Sequence, residues 1–227
     1  MAVIVFLVGS GIGTILFLVR QFRISRIAAE DRLHKITHLI RDEAHYITAA
    51  QDDSIRRNRL ECFYQNISEN IADYFRKREN NPSVDCVLRI ASQIDGEWVY
   101  STVGRSSGLA EERRTRTQSE LATEGIAKRF FDHDRQGAYI IRDRMEAARA
   151  DIWKLTNNDA LPDVKVILSL PINGWHRKEL QMLGLMHLTC RNGNFRKTDW
   201  VPAKAIADLI GHVLTLFYTF DVPDSGE

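Results

Sequence analysis

The first 19 residues carry no charged side chain, and this apolar run constrains the chain more than any other feature. Ala2–Val19 is 18 residues long and has only Ser10 and Thr14 as hydroxyl side chains. As a helix it extends for about 27 Å, close to the ~30 Å hydrocarbon core of a bilayer. A helix also satisfies its own backbone hydrogen bonds in lipid. The run therefore predicts a transmembrane anchor over residues 1–20.

Two other interpretations of this run fit the sequence less well. A cleaved signal peptide begins with basic residues and ends at small ones, whereas this run begins Met-Ala-Val and ends at Val19-Arg20. A dinucleotide-binding turn needs glycines spaced G-x-G-x-x-G. Here they stand at Gly9, Gly11 and Gly13, and no βαβ pattern follows.

The charges beside the anchor predict its orientation. Arg20, Arg23 and Arg26 follow the span directly, and only the terminal amine precedes it. The positive-inside tendency therefore places the C-terminal bulk in the cytoplasm. We expect a single-pass protein of a cell inner membrane. Gly9 and Gly13 form a G-x-x-x-G pair that favours close packing of two spans.

A long helical segment follows the anchor. No proline or glycine occurs between residues 24 and 79, and apolar residues recur at helical spacing. The polar stretch 51–54 interrupts that spacing. We therefore predict a juxtamembrane helical linker at 21–52, able to pair with a second copy as a coiled coil. A second helix begins near residue 53 and ends near Pro82, and it belongs to the globular part.

Four polar side chains share one face of the linker helix. The set is His34, His38, Asp42 and His45, which follow one another at steps of four, four and three residues, so that each lies about one helical turn from the next. Such spacing can bring imidazole and carboxylate groups to one transition metal. A single helix cannot enclose an ion, and no second matching set occurs elsewhere in the sequence. The pattern is therefore more typical of an exposed polar stripe, or of one that lines a dimer. We predict no metal site.

Composition narrows the function classes. With 31 basic and 30 acidic residues the chain has no general attraction to nucleic acid polymers. Its apolar content of 44% is ample for a hydrophobic core. Cys62, Cys86 and Cys190 are far apart and lack C-x-x-C spacing. They predict neither a disulfide framework nor a zinc knuckle, as expected for a domain in the cytosol.

Beyond Pro82 the apolar period changes from that of a helix to that of strands. The predicted elements are strands at 84–90 and 97–103 joined by a turn at Asp95-Gly96, a surface loop at 105–118, a helix at 119–131, a strand at 138–141, a helix at 145–155, strands at 163–172 and 182–190, and a last helix at 201–220. Hairpin-linked strands with helices gathered to one side predict an antiparallel α+β fold.

Several motifs in this order resemble the GAF family over Asp53–Phe220. They are the strands VDCVLRI and EWVYSTV around a glycine turn, a strand ending in Ser169-Leu170-Pro171-Ile172, the strand Leu183-Gly184-Leu185-Met186 at hairpin distance, and Phe195-x-x-x-Asp199 before the closing helix. The resemblance implies a GAF-like antiparallel sheet with flanking helices over 53–220, followed by a short tail at 221–227.

The resemblance also implies where a ligand would bind. GAF-like pockets lie between the sheet and the loop-helix excursion, which corresponds to 118–158. The side chains there best suited to hold a small molecule are Tyr139, Arg142, Asp143, Arg144 and Trp153. The competing interpretation is that the two aromatic residues belong to the core and the Arg-Asp-Arg run is a solvated ion-pair cluster.

The sequence departs from some members of that family. Cyclic-nucleotide-binding members carry an Asn-Lys pair and an Asp-Glu pair. Here Asn192 and Asn194 lack the lysine, and Trp200 replaces the glutamate. These departures weigh against cyclic-nucleotide binding by that route.

No catalytic constellation is present in the sequence. It contains no G-x-S-x-G, P-loop or H-E-x-x-H motif, and Asp132-His133-Asp134 reads as a polar surface turn. We predict a protein that is not an enzyme and has no cofactor. The expected function is membrane-tethered sensing through a small ligand or partner protein, with signalling by a homodimer or a separate output protein. The alternative is a structural adaptor that binds no ligand and holds a partner at the membrane.

Overall fold

A computed structural model describes residues 2–79, 81–94, 97–107, 119–132, 137–154, 166–176 and 179–220. Over these residues the elements follow in the order α1 (Ala2–Ala49), α2 (Asp53–Arg78), β1 (Val84–Ile94), β2 (Glu97–Arg105), β3 (Ser119–Leu121), α3 (Gly125–Asp132), β4 (Tyr139–Ile141), α4 (Arg144–Arg149), β5 (Val166–His176), β6 (Glu179–Cys190) and α5 (Lys197–Phe220).

The strands form one six-stranded sheet in the order β3-β2-β1-β6-β5-β4. Every adjacent pair is antiparallel. Strand β6 is central and nearly continuously apolar, as expected for a strand that is covered on both faces. The predicted antiparallel α+β class with flanking helices is confirmed. The helices cover both faces of the sheet, however, and are not gathered to one side as the sequence predicts.

The first face of the sheet is covered by α1, α2 and α5. Alternate residues of the strands point into this core, among them Leu88, Leu168 and Leu188. Helix α5 crosses β5 so closely that a Cβ atom at Gly211 would collide with the backbone carbonyl of Asn173. Only glycine permits that approach.

Helix α1 continues without a break for 48 residues and stops where the sequence predicts. Asp52 caps α2: its carboxylate accepts hydrogen bonds from the backbone N–H groups of Ser54 at 2.6 Å and Ile55 at 3.4 Å. The second half of α1 packs into the same core as the sheet through Ala29, Ile36, Ile40 and Ile47, which are buried. Part of the predicted linker is thus integral to the packing of the globular part.

The second face of the sheet carries a smaller apolar cluster under α3 and α4. Its buried members come from five strands and both short helices: Ala91, Tyr100, Ile126, Ala127, Phe130, Ile141, Ala147, Ile167, Met182 and Leu185. The Tyr100 hydroxyl donates to the carbonyl of Met182 at 3.0 Å, which satisfies the one polar atom of that side chain.

Three predicted elements differ from the structure. Residues 119–121 are a strand and not the start of a helix, because Glu120 lies opposite Tyr100 in the pairing with β2, and Gly125, at φ 51°, separates β3 from α3. Helix α4 ends at Arg149, before the predicted 155, and Asp151 at φ 55° turns the chain away. Helix α5 begins at Lys197, one turn before the predicted start.

Other predictions fall outside the described residues: the Asp95-Gly96 turn, the loop from 108 to 118, His133 and Asp134, the start of the strand at 163, and the tail at 221–227.

By length and composition, one helix among the residues searched is able to cross a membrane, namely Lys197–Phe217 with a mean hydropathy of 1.3. Its apolar side is buried against the sheet through Ile206, Ile210, Val213 and Leu214. A core helix passes the same test, and the packing of α5 accounts for its composition.

Candidate functional site

The second face of the sheet holds buried polar side chains at its centre. We call Arg89, Glu120, Ser169, His187 and Trp153 the polar cluster. Arg89 lies on β1, Ser169 on β5 and His187 on β6, and these strands are neighbours in the sheet. Glu120 comes from β3 and Trp153 from the segment after α4. Helices α3 and α4 lie on this same face, so the polar cluster is situated between the sheet and a helical cover.

Ser169 and His187 are direct cross-strand partners. The Ser169 hydroxyl and the Nδ1 atom of His187 are 2.9 Å apart and form a buried hydrogen bond. Burial lowers the pKa of His187 well below its ordinary value, and the nearby Arg89 charge lowers it further. The imidazole is therefore neutral at neutral pH. Its Nε2 atom is buried and has no hydrogen-bond partner among the described residues.

Trp153 packs edge-on against the same imidazole. The ring centroids of Trp153 and His187 are 5.7 Å apart and their planes are inclined at 81°. The indole Nε1 atom is buried and, over the described part of the chain, has no acceptor. An indole nitrogen can only donate, and a buried donor without a partner costs about 1–3 kcal/mol. The geometry leaves this donor available to an added acceptor.

Arg89 and Glu120 form a buried ion pair through Nη1 and Oε2. Burial raises the pKa of Glu120, while the Arg89 charge and the backbone N–H groups of Ala127 and Ile126 act in the opposite direction. The short contact with Arg89 and the bond from Ala127 both favour a carboxylate, so the ion pair is the state that the geometry supports. The Nε atom of Arg89 is buried and unpartnered within the described residues.

Glu120 also connects the ion pair to the helical cover. Its Oε1 atom accepts a hydrogen bond from the backbone N–H of Ala127, in the first turn of α3, at 3.3 Å. A Cβ atom at Gly125 would lie 2.6 Å from the same Oε1, and the φ of 51° disfavours any other residue there. A carboxylate at a helix start is electrostatically favourable. The sheet and α3 are thus joined through one side chain.

Two of the five predicted ligand-binding residues lie on this face. Trp153 belongs to the polar cluster. Tyr139 is half-buried and packs edge-on against Phe130, with ring centroids 5.1 Å apart. The guanidinium of Arg129 lies 5.9 Å from the centroid of the Tyr139 ring. Both aromatic residues are partly buried and pack against the apolar cluster of the second face, as the competing core interpretation expects.

The other three predicted residues lie at the start of α4. Arg142 and Asp143 are exposed, and Arg144 is half-buried. The Asp143 carboxylate caps α4 by accepting from the backbone N–H groups of Met145 at 2.8 Å and Glu146 at 3.0 Å. Capping occupies one of its oxygens. Ligand binding by Tyr139, Arg142, Asp143, Arg144 and Trp153 stays a prediction.

Sequence reasoning missed Arg89, Glu120, Ser169 and His187. A signal was present for two of them. Arg89 stands in VDCVLRI and His187 in LGLMHLTC, each a polar side chain inside an otherwise apolar strand. A strand buried on both faces that carries such a residue must satisfy it internally. The partner of neither residue follows from local sequence.

A groove of about 760 Å³ lies on the opposite side of the sheet. It is lined by residues of α2 and β2 and by Phe217 at the end of α5, and it contains none of the predicted ligand-binding residues. Among the residues that could be searched, no group of three or more His, Cys, Asp or Glu side chains is arranged to hold a metal ion.

No family model matches this sequence, and no match was found among curated proteins. Solved structures are similar at the level of the fold. The A. aeolicus nlh2 GAF domain in an inactive state has a TM-score of 0.51 and 12% identity, covering 87% of this chain and 99% of that one. A structure described only as a GAF domain has a TM-score of 0.53 and 13% identity, covering 82% and 89%.

A third similar structure is the phycocyanobilin-bound GAF domain from a cyanobacterial phytochrome. Its TM-score is 0.53 at 14% identity, with 86% of this chain and 98% of that chain covered. At such identities a likeness establishes the fold and nothing finer. Together with the antiparallel six-stranded sheet and its helical cover, these matches establish that this chain has a GAF-like fold.

Proposed function

We propose that this chain is a membrane-tethered sensory or regulatory protein that binds a small ligand at the polar cluster. The ligand carries an acceptor oxygen, as in a carboxylate, carbonyl or phosphate. The signal passes through a homodimer or to a separate effector protein. One observation carries the ligand part of this proposal: buried nitrogen atoms of Arg89, His187 and Trp153 lie on one face of the sheet and have no partners among the described residues.

Arg89 Nε and Trp153 Nε1 are both donors. His187 is a donor at Nε2 if the Ser169 hydroxyl donates to Nδ1, and an acceptor if the tautomer is reversed. Buried polar groups in native proteins are nearly always paired, so a set of unpaired ones calls for a group that completes it. A single oxygen-bearing ligand would satisfy several of these nitrogens together.

The fold supports the same face as a binding site. The similar cyanobacterial phytochrome structure is a GAF domain with phycocyanobilin bound, so this fold can hold a small molecule. In the present chain the polar cluster lies under α3 and α4, where its own Trp153 and the nearby Tyr139 offer aromatic surface. Apolar walls with a few directed polar groups are typical of small-molecule sites.

The membrane part of the proposal is supported by the N-terminal sequence and by helix continuity. The uncharged run Ala2–Val19 belongs to the same helix as the core residues Ile36 and Ile47. A helix that spans the inner membrane and continues into the cytoplasmic domain connects the two mechanically. Removing residues 2–19 should release the protein from the membrane fraction into the soluble fraction. Retention of the shortened chain in membranes would contradict the tether.

The bonded pair Ser169 and His187 raises the question of nucleophilic catalysis. In such sites the base is oriented by a further group. Here the second nitrogen of His187 has no such partner among the described residues, and Ser169 lies in the interior of β5. The pair therefore fits binding better than hydrolysis, and we propose that the protein is not an enzyme.

The alternative function is a structural adaptor that holds a partner at the membrane without a ligand. The partial packing of Tyr139 and Trp153 against the core favours it, because those side chains would then serve mainly to fill the space under α3 and α4.

Thermal unfolding of the full chain in detergent micelles separates the two functions. The panel should include carboxylic acids, amino acids, nucleotides and cyclic nucleotides. A ligand at 100 times its Kd adds about 2.7 kcal/mol, which for a chain of this size raises Tm by roughly 5–10 °C. We expect the shift to be lost in Trp153→Phe, which keeps the ring but removes the N–H, and to persist in the surface control Trp200→Phe. A panel without any shift would favour the adaptor.

A further inference from the structure

Two histidines on the exposed side of α1 are closely paired. The Nε2 atoms of His34 and His38 are 2.9 Å apart, and their rings meet edge to face with centroids 4.2 Å apart. The two residues are one helical turn apart, so both imidazoles project from the same face. Their Nε2 atoms therefore meet beside the helix, where they form a hydrogen bond with each other.

That distance suits a shared metal ion. Zinc binds imidazole nitrogen at about 2.0–2.1 Å, so two nitrogens at a tetrahedral zinc lie roughly 3.3 Å apart. A change of a few tenths of an ångström in side-chain torsions would bring His34 and His38 to that separation. One chain supplies only these two ligands, because no group of three or more candidate ligands is found among the residues searched. The site is incomplete within a single copy.

The same face of α1 carries exposed apolar side chains nearer the N-terminus: Phe17, Ile24 and Ile27 are 59%, 51% and 56% exposed. Together with His34, His38 and His45 they take a and d positions of a heptad repeat, as in a two-stranded coiled coil. The intervening a and d positions are Arg20, Asp31 and Arg41. The stripe lies opposite the buried one, which includes Ile36 and Ile40.

A second copy of this chain is the partner that this stripe fits. Two copies anchored by the same N-terminal span run parallel, and in a parallel coiled coil identical a and d positions meet in register. Phe17, Ile24 and Ile27 would then bury each other. His34 and His38 of each copy would form two consecutive layers, with four imidazoles around the common axis.

We propose that two copies of α1 bind one Zn²⁺ between them through His34 and His38 of each chain. This proposal rests on the homodimer in the proposed function and adds the metal that the dimer binds. Four imidazoles in a tetrahedron match the preference of zinc, which has no competing geometric demand. The charged side chains at the a and d positions that flank the pair have partners within each chain: Asp31 pairs with Lys35 at 2.9 Å and Arg41 with Asp42 at 2.7 Å.

The test uses the full chain, produced without a polyhistidine tag and held in detergent micelles. Zinc is titrated against a chromophoric chelator while light scattering reports the protein mass. We expect one zinc per two chains. We also expect Co²⁺ to give the intense visible bands of a tetrahedral ion. Zinc binding should be lost in both His34→Gln and His38→Gln.

The matched control is His45→Gln, which removes an exposed histidine from the same stripe but leaves the pair. It should retain the half-molar stoichiometry and the cobalt spectrum. Because His34 and His45 are exposed and His38 is half-buried on the same side of α1, circular dichroism should show unchanged folding in all three variants. Equal binding by His38→Gln and His45→Gln would overturn the proposal, as would one zinc per chain.

Two further outcomes separate this site from the homodimer itself. A stable dimer that takes up no zinc would overturn the metal site and leave the homodimer intact. A monomer at every zinc concentration would overturn both. Neither result bears on ligand binding at the polar cluster, which the thermal panel tests independently.

Discussion

The two faces of the sheet are built on different principles. On the first face α1, α2 and α5 bury the larger apolar core, in which residues such as Phe75, Leu168 and Leu188 have no exposed surface. The buried Ser68 and Asp199 of these helices are hydrogen-bonded. On the second face a smaller apolar cluster surrounds the ion pair of Arg89 with Glu120 and the bonded pair of Ser169 with His187. The same strands form both faces, because successive side chains along a strand point to opposite sides of the sheet.

The difference indicates how stability and function are divided. The first face contributes hydrophobic burial, which is non-directional and needs only filled volume. The second face retains polar groups whose burial is costly unless each is paired. A buried polar group there without a hydrogen-bond partner lowers the free energy of unfolding. A ligand that pairs with such a group would restore part of that free energy. Substitutions on each face test this division.

The largest effect is expected from breaking the buried ion pair. Glu120→Ala leaves the Arg89 charge buried without its partner and removes the bond to α3, so unfolding should become easier by about 3–5 kcal/mol. Denaturant unfolding of the full chain measures this. The double variant Arg89→Met, Glu120→Ala should be more stable than Glu120→Ala alone. A single variant that unfolds like the parent would mean that the second face tolerates an unpaired charge.

A substitution that leaves a cavity beneath α1 tests whether that helix is part of the core on the first face of the sheet. Ile36 has no exposed surface although it lies in the predicted linker. Ile36→Ala should lower the free energy of unfolding by about 2–5 kcal/mol. Thr37→Ala, at the adjacent exposed position, is the control and should change it by less than about 0.5 kcal/mol. Equal stability of the two variants would show that α1 is only a linker.

The second face should also make stability depend on pH. Because the pKa of His187 is lowered by burial, the folded protein keeps the imidazole neutral while the unfolded chain takes up a proton below about pH 6.5. This contribution is fully present above that pH. It is lost as pH falls toward the folded pKa, at up to about 1.4 kcal/mol per pH unit.

The free energy of unfolding at pH 7.5 and at pH 5.5 measures this dependence. In His187→Gln the difference between the two values should shrink by about 1 kcal/mol or more, by the same linkage. His212→Gln, at an exposed position on α5, should leave the difference unchanged. A parent protein whose stability does not fall between these values would contradict the buried neutral imidazole.

The smallest change in stability is expected at the start of α4. Arg142 is exposed, so Arg142→Ala should alter the free energy of unfolding by less than about 0.5 kcal/mol. If Arg142 contacts the ligand as predicted, the same variant should weaken ligand binding without loss of stability. Isothermal titration with a ligand identified in the thermal panel distinguishes these results. Unchanged affinity would remove Arg142 from the site.

Much of the fold was predictable from local pattern. The helix spacing between 24 and 79, with its interruption at 51–54, matches the junction of α1 with α2, because Asp52 is both a poor interior helix residue and a good cap. The errors occurred where tertiary contacts prevail over propensity. Glu120 favours helix locally, yet pairing with β2 and the bond to Arg89 hold it in a strand.

Composition and period over a short window were sufficient to predict the uncharged N-terminal run and the antiparallel α+β class. The pairings at the site depend on the assembled sheet. Ser169 meets His187, and Arg89 meets Glu120, because strand register and sheet order bring together residues 18 and 31 positions apart. Period-two alternation limits which face a side chain takes, but its neighbours depend on how the whole sheet assembles.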